Sequence, residues 1–234
     1  MSLPIRLPAP LRRVFILRTL LAVARALDGQ PSRAVEGEVP AAVVDLDALA
    51  TALAPGQRRL ADFRSATDLR AAMAARRRDG EVPVVLRDGP RIAACAWLRF
   101  RDASLPSYGI AVALEPEEAY LFALYTVPEV RGRGWAGAVL AQARAVAQHR
   151  GIRRLYAWVS AENAAARAVF ARDGWVPVAR LIRLDWRGHV RGPVALLRDW
   201  DPRDPLAGWC APGRLRVEGT RLVRLRTRGA GRDV

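Results

Sequence analysis

Two glycines one residue apart, Gly132 and Gly134, stand where an apolar run gives way to a helical pattern. Such a pair lets the backbone curl until several N–H groups face one concavity. The helix that opens at Trp135 adds its own unpaired N–H groups and the positive end of its dipole. Arg131 and Arg133 supply forked cationic donors, so the loop suits a phosphate or pyrophosphate. A plain strand-to-helix turn without a ligand is the alternative. Gly132, Gly134 and Gly137 also spell G-x-G-x-x-G, the dinucleotide fingerprint. Three features disfavour that reading. Pro128, Glu129, Val130 and Arg131 separate the strand from the first glycine, and Glu162 lies 25 residues beyond Gly137. The chain past residue 186 also lacks the β-α alternation needed to complete a doubly wound sheet.

Other groups capable of chemistry are few. Glu115, Glu117 and Glu118 are close in sequence, and clustered acids would raise one another's pKa, which suits a general base. They equally suit a solvated acidic turn. Tyr125 ends the apolar run before the loop, and Asn163 is placed to cap a short helix. His149 sits in a last helical turn and His189 in an unpatterned loop; neither receives a catalytic role. Cys95 lies among apolar residues as a small buried hydrophobe, and Cys95 and Cys210 have neither metal-site nor disulfide spacing. No metal is expected, and a reducing cytoplasm is the expected compartment.

The elements that must hold these groups follow from periodicity. Residues 45–54 and 65–78 read as helices, the second capped by Ser65 and stopped at Asp79-Gly80. Residues 81–87 and 91–100 read as strands joined by Asp88-Gly89-Pro90, with a short strand at 108–113. Residues 119–127 form a strand buried on both faces, 135–149 a helix, and 152–159 a strand. Residues 163–172 form a short helix closed by Asp173-Gly174, and 175–186 a strand. Near the end, 214–217 and 221–226 suggest one arginine-faced hairpin. Residues 14–17 could be strand or helix, and 9–27 could lie on a membrane surface as an amphipathic segment. The fold class is α+β, a mixed α/β sheet. Three regions are expected: an N-terminal segment 1–32, a core domain 33–190 and a basic C-terminal extension 191–234.

Charge narrows the chemistry further. All 38 basic residues are arginine, against 23 acids, for a net charge of +15. Without lysine, neither a Schiff base nor a Walker-type phosphate lysine is available. Residues 212–234 hold seven arginines and two acids, yet no recognition helix or aromatic stacking motif accompanies them, so nucleic acid is disfavoured.

Residues 127–136, with Arg131, Gly134 and Ala136 meeting Arg/Gln-x-x-Gly-x-Gly/Ala, resemble the coenzyme A pyrophosphate loop of the GNAT superfamily of N-acyltransferases. Asn163, Ala166, Phe170, Gly174 and Trp175 match its second motif, at the expected distance and in the expected order. The resemblance implies a central, mostly antiparallel splayed sheet flanked by helices, with acetyl-CoA as cosubstrate. Residues 131–136, including Gly132, Arg133 and Trp135, would hold the pyrophosphate. Backbone near Tyr125, Thr126 and Val127 would pair with pantetheine in the gap between splayed strands, and Asn163 and Phe170 would contribute from the short helix. An amine would attack the thioester directly, with a backbone N–H stabilising the oxyanion. Glu118 is the expected base. Many members carry a tyrosine acid where this chain has Phe170, so another group such as Tyr125 or water serves, the thiolate leaves unassisted, or transfer is weak and the protein mainly binds coenzyme A. Tyr125 and Glu118 are thus the catalytic candidates. The expected partner is a small or polymer-linked amine, with an anionic acceptor allowed by the charge. A longer acyl donor, a sugar-linked or lipid-linked acceptor, and a basic polyanion-binding module are alternatives. A homodimer and weak peripheral membrane contact stay open, and no transmembrane segment is expected.

Overall fold

The computed structural model describes residues 15–27, 45–57, 66–105, 110–186, 194–198, 214–217 and 222–226. The Ser65 cap, His189, Cys210, Trp200 and Trp209 lie outside them, as do most of segment 1–32 and much of the extension. The architecture is mixed α/β with mostly antiparallel strands. The elements are β1 (Phe15–Ala26), α1 (Leu46–Gln57), α2 (Ala66–Arg78), β2 (Val82–Asp88), β3 (Arg91–Arg99), β4 (Ala103–Leu105), β5 (Ile110–Val112) and β6 (Glu118–Thr126). They continue with a 3-10 turn (Pro128–Val130), α3 (Trp135–His149), β7 (Arg154–Ser160), α4 (Ala164–Arg172), β8 (Val176–Trp186), β9 (Val194–Arg198), β10 (Leu215–Val217) and β11 (Leu222–Arg226). They divide between two compact units.

The first unit carries β1, β4, β5, most of β7, α4 and β8 to β11. Its larger sheet has the order β11-β9-β8-β1-β7. Residues 15–26 are not an amphipathic surface segment: β1 pairs antiparallel with β8 from Phe15–Trp186 to Ala24–Val176. Leu20, Ala22 and Ala24 are buried with Tyr156, Val178 and Leu181, which uses the apolar density of this stretch in a core. The arginine-faced hairpin is also absent. β10 pairs antiparallel with β5, whereas β11 pairs parallel with β9 in the other sheet. Arg214 explains the first choice. Its Nε and Nη2 both donate to Ala113 O at 3.1 and 2.9 Å, and its own carbonyl accepts from Ala113 N–H at 2.9 Å.

The second unit carries α1, α2, β2, β3, β6 and α3. β3 lies between β2 and β6, antiparallel to both. Side chains alternate along a strand, so Cys95 and Trp97 share one face and Ala94, Ala96 and Leu98 the other. Cys95 and Trp97 pack with Leu49 of α1 and with Leu69 and Met73 of α2. Each of those three fully buried aliphatic side chains contributes roughly 1.5–3 kcal/mol. The helix α3 packs on β2, β3 and β6. It occupies the bounds read from its apolar period, and Gly151 (φ +74°) ends it.

Candidate coenzyme A loop and the strand before it

In the second unit, β6 delivers the chain through Pro128–Val130 to the glycine pair, which precedes α3. Gly132 and Gly134 have φ of +80° and +85°, a region costly to residues with a Cβ. Gly134 is the N-cap of α3 and offers no side-chain cap. The first helical bond is Ala138 N–H to Gly134 O at 3.1 Å. Among the described residues, the N–H groups of 132–137 therefore have no protein acceptor. A Cβ placed on Gly132, Gly134 or Gly137 would meet no atom within 4 Å, so the backbone borders open space. Arg131 and Arg133 are exposed beside it, with Trp135 and Ala136 half-buried at the start of the helix. Unpaired N–H groups, the helix end, two arginines and clear space fit a pyrophosphate.

Arg131 is braced rather than free: its Nε donates to Thr126 O at 3.1 Å, and its guanidinium lies 5.8 Å from the Tyr125 ring centroid. Val127 donates its N–H to Ala93 O at 2.9 Å and accepts from Val130 N–H at 3.2 Å. Its N–H is thereby used, while its carbonyl keeps a second lone pair.

Tyr125 reaches its position through a bulge that sequence reading missed. Trp97 faces Phe122 and Cys95 faces Tyr125, so β6 advances three residues while β3 advances two. The extra residue lies in Ala123-Leu124, and Ala123 has φ +51°, the only described non-glycine residue with a positive φ. Without the extra residue, Tyr125 would face opposite to Phe122. With it, Tyr125 joins Cys95, Trp97, Leu49 and Met73 in one cluster. Alanine carries no signal for this conformation. Tyr125 is 5% exposed, and its hydroxyl makes no well-formed hydrogen bond, with the Arg131 guanidinium as its polar neighbour. Burial pushes its pKa up while the nearby Arg131 opposes, so the hydroxyl stays protonated at neutral pH. Burial also pushes the Cys95 thiol up to about 12.

The three acids do not form a mutually repelling cluster. Each faces its own arginine: Glu115 lies 3.9 Å from Arg214, Glu117 3.9 Å from Arg153 and Glu118 3.1 Å from Arg154. Glu118 opens β6, buried to 1% exposure, with its Oε1 accepting from Arg154 Nε at 3.1 Å.

In the first unit, the second motif has a clear local cause. Asn163 Oδ1 accepts from Ala166 N–H at 3.0 Å, capping α4. At the other end Gly174 has φ +78°, with Trp175 N–H bonded to Phe170 O and Gly174 N–H to Ala171 O, both at 3.0 Å. This is a Schellman stop, and its hydrophobic contact is the edge-to-face pair Phe170–Trp175 at 5.0 Å. Arg25 donates to Asp173 O, and a Cβ on Gly174 would strike its guanidinium. Phe170 is 4% exposed and Trp175 is buried beside it. Asn163 and Phe170 thus belong to one unit, and Glu118, Tyr125, Thr126, Val127 and 131–136 to the other. Among the described residues no group of His, Cys, Asp and Glu could hold a metal, and no helix is long and apolar enough to cross a membrane.

A search among curated protein sequences finds no match. Solved structures with related folds include a GNAT-family acetyltransferase from Colwellia psychrerythraea, at 18% identity and TM-score 0.55, covering 74% of this chain and 56% of that one. A GCN5-related N-acetyltransferase from Sphaerobacter thermophilus has 19% identity and TM-score 0.50, over 75% and 54%. A GNAT-family protein from Novosphingobium aromaticivorans has 23% identity and TM-score 0.47, over 74% and 65%. The chain thus spans between 54% and 65% of the length of these proteins, and the likeness at TM-scores of 0.50 and 0.55 concerns the fold. The family model described as Acetyltransferase (GNAT) family matches residues 47–175, more than half of the sequence and inclusive of both motifs. The chain belongs to the GNAT acetyltransferase family.

Proposed function

We propose that the protein is an acyl-CoA-dependent N-acyltransferase that moves an acetyl group from acetyl-CoA to an amine. The observation that carries this reading is the row of unpaired N–H groups at 132–137 over open space, flanked by Arg131 and Arg133. Residues 131–136 would hold the pyrophosphate, with Thr126 and Val127 leading the chain into that loop. When bound, acetyl-CoA supplies an acyl group already activated as a thioester. The amine nitrogen attacks the carbonyl carbon, and the acetyl group passes to nitrogen as the thiolate leaves. The bulge at Ala123-Leu124 leaves backbone out of the β3–β6 ladder, which makes it the chain's candidate donor to the carbonyl oxygen. Tyr125 is the candidate acid, a buried hydroxyl that stays protonated at neutral pH beside the Arg131 guanidinium. Cys95 stays a protonated thiol at neutral pH, so no described cysteine serves as an acyl carrier, in keeping with direct transfer. Glu118 is assigned to anchoring Arg154, and the amine gives up its proton to water.

The test is a thiol-release assay with acetyl-CoA and a panel of amines. Thiol release that depends on an amine is expected, with kcat lowered on the order of 100-fold in Tyr125→Phe. Release from no amine would sink the proposal; an unchanged kcat in the variant would remove Tyr125 alone.

A further inference from the structure

Arg76, in the last turn of α2, is unlike the other buried cations of the second unit. Its guanidinium carbon lies 5.3 Å from the Trp97 ring centroid and 5.0 Å from that of Phe122. Two aromatic faces therefore hold a planar cation whose donors point along its edge. Its side chain keeps 22% exposure, so a ligand can reach it. Its nearest anion is Glu81 Oε2, at 4.0 Å from Nε and beyond hydrogen-bond reach, and no hydrogen bond engages its donors. The neighbouring Arg99 is hydrogen-bonded to Glu81 by comparison. Its Nε donates to Glu81 Oε1 at 2.6 Å and its Nη2 to the same oxygen. Burial pulls the Arg76 pKa below its ordinary value, Glu81 opposes and Arg99 adds to the depression, so the cation is under-compensated.

Held between the two rings, the guanidinium presents open donors with no acceptor within hydrogen-bond distance, a donor-only site that suits an oxyanion. Charge selects among oxyanions. Arg76 and Arg99 against Glu81 leave one positive charge, which a carboxylate neutralises and a phosphate dianion overshoots beside Glu81.

The position relates this site to the reacting end. Phe122, which stacks on Arg76, immediately precedes the bulge and lies three residues before Tyr125. At about 3.3 Å per residue the two are about 10 Å apart along β6, within the span of a small amine. The pyrophosphate loop lies beyond Tyr125, on the far side from Arg76 along the strand.

We infer that Arg76, held between Trp97 and Phe122, binds the carboxylate of the acceptor, so that the protein selects small amines that carry a carboxyl group. This rests on the acyl-transfer reading above. It adds a specificity-determining residue and an acceptor class to that reading.

The test compares amino acids with their carboxamides as acceptors and reads the ratio of kcat/KM within each pair. Wild type should favour the carboxylates on the order of 30-fold, and Arg76→Met should bring the ratio near one with acetyl-CoA affinity unchanged. Arg76→Lys keeps the charge without the fork and should restore part of the preference, which guards against a folding artefact. In parallel, acetate, benzoate and inorganic phosphate are titrated by thermal unfolding. The two carboxylates should raise the wild-type Tm and lose that effect in Arg76→Met, whereas any shift from phosphate, which also suits the loop 131–137, should be the same in both. Equal ratios in wild type and Arg76→Met would overturn the inference and leave acetyl transfer standing, as would a phosphate shift that depends on Arg76 more than the carboxylate shifts do. Failure of wild type to bind acetyl-CoA would refute acetyl transfer instead. The carboxylate titration would then decide the Arg76 site by itself, with no Arg76-dependent shift counting against it.

Discussion

Replacing Gly134 by alanine places one methyl group on a residue with φ +85°, where the new Cβ meets no atom within 4 Å. The change is therefore conformational. A left-handed conformation costs an L-residue roughly 1–2 kcal/mol, and the lower entropy of the unfolded alanine chain returns about 0.4–1 kcal/mol. A net loss of about 1 kcal/mol is expected. Gly89, in the β2–β3 turn, has φ +59° and equally open surroundings, so Gly89→Ala is a control of matched strain without a ligand. The two variants should have similar urea midpoints. They should part in acetyl-CoA binding. Rotating one backbone N–H of the loop away from the pyrophosphate forfeits a charge-assisted hydrogen bond worth about 1.5–3 kcal/mol, or roughly 10- to 150-fold in Kd. Calorimetric titration should show that weakening for Gly134→Ala and wild-type affinity for Gly89→Ala. Equal stability losses with an unchanged Kd in both would refute the phosphate nest.

Glu118→Gln should lower stability by about 2 kcal/mol, because partly buried Arg154 loses its partner, while kcat falls less than tenfold. A 100-fold loss of kcat at unchanged stability would make Glu118 the base. Asn163→Ala should cost about 1 kcal/mol through the lost α4 cap, with Asn163→Asp close to wild type in urea unfolding. Cys95 is held up to about 12 from an ordinary 9.0. A raised folded pKa contributes stability that is complete below pH 9 and is lost as pH rises towards 12, on the order of 4 kcal/mol in all. Wild type should therefore lose more stability than Cys95→Ala across that window in chemical unfolding; parallel curves would contradict the burial of the thiol.

Local chemistry was legible in the sequence, and long-range pairing was not. The α3 bounds follow from an apolar period with Gly134 before it and Gly151 after it. The α4 motif is an asparagine cap and a glycine stop, each a contact within a few residues. By contrast β1, β10 and β11 take partners up to 171 residues away, as in Phe15–Trp186, which no local pattern encodes. The bulge at Ala123 has no residue signature, since alanine is not selected for φ +51°. The Glu118–Arg154 and Arg99–Glu81 pairs likewise depend on registers that the fold sets.

The arginine excess finds a physical outlet in the structure. Arg25, Arg87, Arg131, Arg172 and Arg214 each donate to a backbone carbonyl, a use that needs no matching acid. Arg214 and β10 place part of the basic C-terminal extension in a sheet, where it contributes to structure rather than forming a free polycationic tail.

The most direct measurement is a calorimetric titration of the wild-type protein with acetyl-CoA and, separately, with acetyl-pantetheine, which lacks the pyrophosphate. Acetyl-CoA should bind with a micromolar Kd and acetyl-pantetheine at least 100-fold more weakly, because the N–H groups of 132–137 and Arg131 and Arg133 would then have no phosphate to hold. Equal affinity for the two, or binding of neither, would contradict the assignment of this loop to coenzyme A.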